Sequence, residues 1–219
     1  SAFGIPRLSI GVQSFNDRIL GSTGRQYSGR EAIRVIEKAA EQGFASINVD
    51  IINGFPPHEN FADWRHEIEC IGALFASGAI QSLTLYMLHP FPGTCFPCTP
   101  ADARWQTRNL CFAREYLCER LQLTERPIYW FQKQKMNAEE AFAPSFAVFG
   151  YGNSSYSCLG PWLLENEPSL KGYMEHERRK NGKGMLPLRH AFRLSPEQRQ
   201  VRSILFAIRS GSFLLRQDE

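Results

Sequence analysis

Three short runs of this chain carry polar side chains where chemistry could be done. Residues 7–12 read as a strand that runs directly into Gln13. Residues 46–52 read as a second, with Asn48 and Asp50 on one face, and residues 83–88 as a third, ending at Leu88 and running into His89. An amide, a carboxylate and an imidazole are thereby set where a parallel β/α sheet or barrel binds its ligands, at the carboxyl ends of its strands. Alternation separates the two faces of each strand. Leu8, Ile10 and Val12 oppose Ser9, Gly11 and Gln13; Ile47, Val49 and Ile51 oppose Asn48 and Asp50; Leu83, Leu85 and Met87 oppose Thr84, Tyr86 and Leu88. The apolar faces suit covering helices. The other faces are small or polar and leave room for a ligand cavity. The alternative is a buried polar cluster in which Asn48 and Asp50 pair with each other or with Ser9. A separate feature, Cys95-Phe96-Pro97-Cys98, offers two closely spaced thiols. It reads as a dithiol redox pair, as half of a metal or auxiliary-cluster site, or as incidental thiols. No second Cys/His pair has obvious metal-ligand spacing, so no metal ligands are assigned.

The elements that must position these groups follow a repeating plan. Units of about 35–40 residues, the usual size of a strand with its crossover helix, occupy the first half. Ser28-Gly29-Arg30-Glu31 is a capping box that opens a helix carrying Ile33, Ile36 and Ala40, closed by Gly43. After the turn Asn53-Gly54-Phe55-Pro56-Pro57, a helix places Phe61, Trp64, Ile68, Ile71 and Phe75 on one stripe before Gly78. The third strand leads through residues 90–100 into a helix of about 20 residues opened by Thr99-Pro100-Ala101-Asp102. The second half differs. Residues 127–133 alternate like an edge strand, 146–150 form a short apolar strand, and 151–160 form a Gly/Ser/Tyr loop. A helix is expected over 169–180, and Ser195-Pro196-Glu197-Gln198 opens another that carries Val201, Ile204, Leu205 and Ile208.

Composition bounds the function classes. The 219 residues are 43% hydrophobic and 21% charged, a globular balance with enough apolar residues for a sizeable core. No apolar run approaches the ~20 residues that span a membrane, and no secretory leader is visible. The net charge of +3 is too small to argue for nucleic acid. The densest basic run, Arg178-Arg179-Lys180 with Lys183, falls at a helix end, where cations suit the dipole. The six cysteines read as reduced thiols in a cytoplasmic protein rather than as a disulfide framework. Ser1, with a strand beginning almost at once, suggests a trimmed start.

A set of motifs in a fixed order makes the reading specific. These are Arg7-Leu8-Ser9-Ile10-Gly11-Val12-Gln13-Ser14-Phe15, then Gly24-Arg25, then Gly43-Phe44 with Asn48-Val49-Asp50-Ile51-Ile52-Asn53-Gly54-Phe55-Pro56. Tyr86 with Pro92-Gly93-Thr94 follows, then Gly150-Tyr151-Gly152-Asn153-Ser154-Ser155, and finally Asn166, Leu170 and Tyr173. In order and spacing the chain resembles the second half of a radical S-adenosylmethionine enzyme of the oxygen-independent coproporphyrinogen III oxidase (HemN/HemW-like) family. The resemblance implies that Gln13 and Asp50 hold the ribose hydroxyls of S-adenosylmethionine, that Arg25 binds its methionine carboxylate, and that Leu88 and His89 pack near the adenine. It also implies a [4Fe–4S] cluster in the complete enzyme. The three-cysteine motif that would hold the cluster is absent from this chain, which alone should therefore not generate a radical.

The expected architecture is α/β: a partial radical-SAM-type (β/α) barrel over residues 1–125, then a smaller α+β HemN-like region over 126–219. The implied function is the C-terminal portion of an enzyme acting on a tetrapyrrole or similar conjugated small molecule. It would be coproporphyrinogen-oxidase-like or a radical methyltransferase of haem breakdown, with no catalytic residue assigned. The alternatives are a cluster-free S-adenosylmethionine- or haem-binding module and a dithiol oxidoreductase using Cys95 and Cys98. Expected partners are the substrate and either the missing N-terminal half or a second chain, with no nucleic acid and no membrane. The first strand should form an open edge of the barrel.

Overall fold

A computed structural model describes residues 4–55, 60–89, 103–126, 129–133, 147–179 and 187–210. The chain divides into two compact units, Ser1–Lys135 and Met136–Glu219. In the first unit, strands β1 (Arg7–Gln13), β2 (Ser46–Asn53) and β3 (Ser82–Met87) run parallel, joined by helices α1 (Asp17–Ser22), α2 (Gly29–Ala40) and α3 (Phe61–Ala76). Helix α4 (Ala103–Arg114) runs on into a π-helical turn, Glu115–Arg120, and then a hairpin of β4 (Thr124–Arg126) and β5 (Trp130–Gln132). The sheet order is β1-β2-β3-β5-β4, with β5 antiparallel to both its neighbours. β1 is thus an edge strand. The first compact unit extends to Lys135 and includes this hairpin, which hydrogen-bonds into the first sheet. Cys95, Cys98, Pro92-Gly93-Thr94 and the expected opening at Thr99-Pro100 lie outside the described residues.

Local chemistry accounts for these elements. Ser28 accepts from the Glu31 backbone N–H at 3.2 Å while the Glu31 carboxylate accepts from the Ser28 N–H at 2.8 Å, completing the capping box of α2. Those bonds hold the Glu31 carboxyl below the usual carboxylate range. Asn60 caps α3 by accepting from the N–H groups of Ala62 and Asp63. Trp64, Ile68, Ile71 and Phe75 form the buried stripe of α3, each at most 1% exposed. They pack with Ile36 of α2 and Leu110 and Leu117 beyond it on Val49, Ile51, Leu83 and Leu85. Each such side chain contributes about 1.5–3 kcal/mol of burial.

The same packing fixes the turn after β1. The buried Glu67 carboxylate of α3 accepts from the Phe15 N–H at 2.6 Å. Gly29, the first residue of α2, is pressed against that turn: a Cβ there would stand 2.0 Å from the Phe15 carbonyl oxygen.

The second unit holds an antiparallel sheet of β6 (Tyr156–Leu159), β7 (Trp162–Asn166) and β8 (Leu188–Arg193), with α5 (Leu170–Arg179) and α6 (Pro196–Ser210). The expected loop over 151–160 therefore contains a strand, and the expected strand over 146–150 is reduced to a bridge between Val148 and Cys158. The Ser195 box forms as expected: Ser195 Oγ accepts from the Gln198 N–H, and Gln198 Oε1 from the Ser195 N–H. Buried Asn166 organises the loop before β6. Its Nδ2, with two protons to donate, lies 2.8 Å from Ser155 Oγ and 3.0 and 3.2 Å from the carbonyl oxygens of Gly152 and Gly150. The Tyr173 hydroxyl accepts from the Gly152 N–H. Among the described residues no helix is long and apolar enough to cross a membrane.

Two glycines give a sharp contrast. Gly29→Ala drives a Cβ into backbone that cannot yield cheaply, so thermal denaturation should show a loss at or above about 3 kcal/mol. Gly21→Ala, where no atom lies within 4 Å of the new Cβ, should instead leave stability unchanged or raise it by up to about 1 kcal/mol.

Candidate functional site

The face of the first sheet turned away from α2, α3 and α4 carries Ser9 and Gly11 of β1, Asn48 and Asp50 of β2, and Ser82 and Thr84 of β3. The register sets Ser9 beside Asn48, Gly11 beside Asp50, and Asp50 beside Thr84. β5 extends the face, with Gln132 opposite Ser82 and Trp130 opposite Thr84. Arg7 at the start of β1 reaches across the face to the Trp130 ring, 5.8 Å from its centroid, although two strands lie between them.

Asn48, 7% exposed, is the centre of the network. Its Nδ2 donates to Asp50 Oδ1 at 2.7 Å and to Ser9 Oγ at 2.9 Å. Its Oδ1 accepts from Ser82 Oγ at 2.9 Å and from Thr84 Oγ1 at 3.3 Å. Ser9 Oγ also donates to Asp50 Oδ2 at 3.2 Å. The pairing of Asn48 and Asp50 with each other and with Ser9 therefore forms, yet it does not seal the face: Ser9 and Gly11 are exposed and Asp50 is only half-buried.

Gln13 joins this group by an unusual route. Its φ of 70° breaks the strand, and the pairing register shifts between Gly11 and Gln13. A non-glycine residue in the left-handed region costs about 1 kcal/mol. The turn sends the Gln13 amide back along β1, so that Nε2 lies 2.8 Å from where a Gly11 Cβ would be. Gly11 is the residue paired with Asp50, so the amide and the carboxylate share one end of the polar face. Glycine at position 11 is what leaves the amide its space.

The other expected residues stand apart from this pair. Arg25 is exposed in the loop after α1, its N–H bonded to the Leu20 carbonyl. Two residues on, the Tyr27 hydroxyl donates to the Val12 carbonyl at 3.0 Å, which returns that loop to the end of β1. Leu88 is tied to the ends of β2 and α4, donating to the Asn53 carbonyl and accepting from Gln106 Nε2. His89 is exposed. No hydrogen bond or ion pair among the described residues joins Arg25, Leu88 or His89 to Gln13 or Asp50.

Residues beyond the sequence-based expectation also belong to the face. Gln132 is fully buried, and neither its amide nitrogen nor its amide oxygen has a partner among the described residues. Trp130 Nε1 is likewise unpartnered there. Alternation in the 127–133 run signals a strand but not which strand it joins.

The carboxylate and amide suit the vicinal hydroxyls of a nucleoside. Among the described residues no three metal-ligating side chains gather. Cys70, beside a cleft of about 510 Å³ between α2 and α3, has its thiol pushed up by burial and by Glu67 and Glu69. The Cys118 thiol is also pushed up, chiefly by burial.

No family model matches the chain. It is 34% identical over 110 residues to "Heme chaperone HemW" of Escherichia coli (strain K12), a match that covers 47% of this chain and 27% of that protein. It is 40% identical over 58 residues to "Oxygen-independent coproporphyrinogen III oxidase" of Paracoccus denitrificans, covering 25% of this chain and 13% of the other. Its fold matches coproporphyrinogen III oxidase (HemN) from Escherichia coli, a radical SAM enzyme, with a TM-score of 0.73 at 17% identity. That match covers 95% of this chain and 50% of the other. The chain thus spans about a quarter of the HemW protein and half of the HemN structure. The chain shares sequence with HemW and with coproporphyrinogen III oxidase over part of its length, and shares its fold with HemN.

Proposed function

We propose that this chain is the nucleoside-holding part of a radical S-adenosylmethionine protein that handles a tetrapyrrole or similar conjugated small molecule. The parallel strands β1–β3 are read as one arc of a β/α barrel, and the second unit as the HemN-like C-terminal region. The observation that carries the reading is the placement of the Gln13 amide over Gly11, beside the half-buried Asp50 carboxylate. Asp50 would accept from the ribose hydroxyls and Gln13 would bridge them. Arg25, from the loop that Tyr27 returns to β1, would meet the methionine carboxylate with a bidentate fork. Leu88 and His89 would border the adenine.

Bound S-adenosylmethionine would supply the radical chemistry together with a [4Fe–4S] cluster, for which the described residues offer no ligands. This chain's own task is then to hold and orient the nucleoside. Oxidation of a porphyrinogen, methyl transfer to haem and haem carrying all remain within this substrate class, and a cytoplasmic location belongs to the same reading. The names of the HemW relatives favour a second reading, a module that binds S-adenosylmethionine or haem without turnover. Absorbance titration with haem separates it from the first, by a Soret shift in the chain itself.

Asp50→Asn should weaken S-adenosylmethionine binding by about 1.5–3 kcal/mol, roughly 10- to 150-fold, with little change in the thermal melt. Calorimetric titration beside the melt checks this; a lowered melting temperature with unchanged affinity would return Asp50 to a structural role. Gly11→Ala should displace the Gln13 amide, since the clash is with the far end of a flexible side chain. Affinity should fall by about tenfold while stability changes by less than about 1 kcal/mol, read by the same two measurements.

A further inference from the structure

We infer that Asn48 is a positioning residue that leaves the cluster around Asp50 able to accept, and not donate, hydrogen bonds, and that it thereby selects a vicinal diol; this rests on the reading of Asp50 as the nucleoside ligand. The argument is a count of protons. Asn48 Nδ2 carries two, and its two shortest bonds go to Asp50 Oδ1 and Ser9 Oγ. Thr84 Oγ1 lies 3.1 Å from that nitrogen and 3.3 Å from Asn48 Oδ1. With both amide protons committed, the Thr84 hydroxyl donates to Oδ1, as Ser82 does at 2.9 Å. Two donors onto Oδ1 lock the amide against a flip. Ser9, having accepted from Asn48, sends its own proton to Asp50 Oδ2.

Every proton in the network therefore points inward, toward Asn48 or Asp50. What remains for a ligand is one lone pair on each Asp50 oxygen, held in one orientation by bonds from both sides. A ligand must bring two adjacent donors. A guanidinium could do so but has no acceptor for the Gln13 amide above Gly11, whereas the hydroxyls of a diol both donate and accept. Without Asn48 the carboxylate loses the donor on Oδ1 and is held only by the longer Ser9 bond on Oδ2.

The test is a ligand-observed NMR titration of the full chain with adenosine and with 2′,3′-dideoxyadenosine, alongside a thermal melt. The wild-type chain should prefer adenosine by roughly 10- to 150-fold. In Asn48→Ala the preference should fall to about threefold or less in folded protein. A merely structural role lowers the melting temperature but leaves that ratio alone, so an unchanged preference overturns the inference while the Asp50 reading stands. A wild-type chain that does not discriminate overturns both. Should Asn48→Ala fail to fold, Ser9→Ala carries the test. It removes the donor to Oδ2 from an exposed edge strand, and the preference should drop several-fold; no drop overturns the inference.

Discussion

A strand cannot choose its two faces independently, and β2 is where that constraint governs this protein. Val49 and Ile51 are fully buried under the helices, so Asn48 and Asp50 must point to the opposite side. Because β2 is flanked by β1 and β3 in parallel register, whatever lines up beside Asn48 and Asp50 shares that side. Those neighbours are Ser9, Gly11, Ser82 and Thr84. The hydrophobic layer thus determines the polar face without touching it. A one-residue slip of β2 would bury the carboxylate among Trp64, Ile68 and Phe75, at a cost no hydrogen bond there could offset.

A polar face on a sheet this well covered is a thermodynamic liability unless its groups are satisfied. Around Asn48 they are: both amide protons and both lone-pair directions of the oxygen have partners. The exceptions lie where a ligand face would have them. Gln13 is held in a costly backbone conformation at the rim, and the Gln132 amide is buried without a partner among the described residues. Strain and unsatisfied groups of this kind persist only where the surrounding fold over-determines them. Here the Phe15–Glu67 bond and the Tyr27 hydroxyl pin the chain on either side of the Gln13 turn.

Helix packing on the other side of the sheet uses the same economy. Asn53 sits at the end of β2 on the helix side, where it receives a bond from Asn109 and donates to the Gln106 carbonyl. The Trp64 indole donates to the Asn109 carbonyl. This small buried network ties β2 to α3 and α4. The second unit repeats the device with Asn166, one amide facing three loop acceptors. In both units a buried asparagine ties separate backbone segments together.

Periodicity alone was sufficient for the parallel strands, the capping boxes at Ser28 and Ser195, the buried stripe of α3 and the separation of Asp50 from the apolar layer. Each of these depends on contacts within a few residues or on alternation along one strand. The order of motifs carried the family resemblance, because order and spacing survive when identity falls. What lay beyond the sequence depends on contacts between segments far apart in the chain. The hairpin of β4 and β5 joins the first sheet because β3 offers it an edge, which no property of residues 124–132 reveals. Strand β6 takes up the end of the expected 151–160 loop, because Tyr156–Leu159 finds a partner strand in β7 and a bridge from Val148. Asn48 looked equivalent to Asp50 by alternation. Only the tertiary structure, by bringing Ser82 and Thr84 onto its amide oxygen, gave it a fixed orientation.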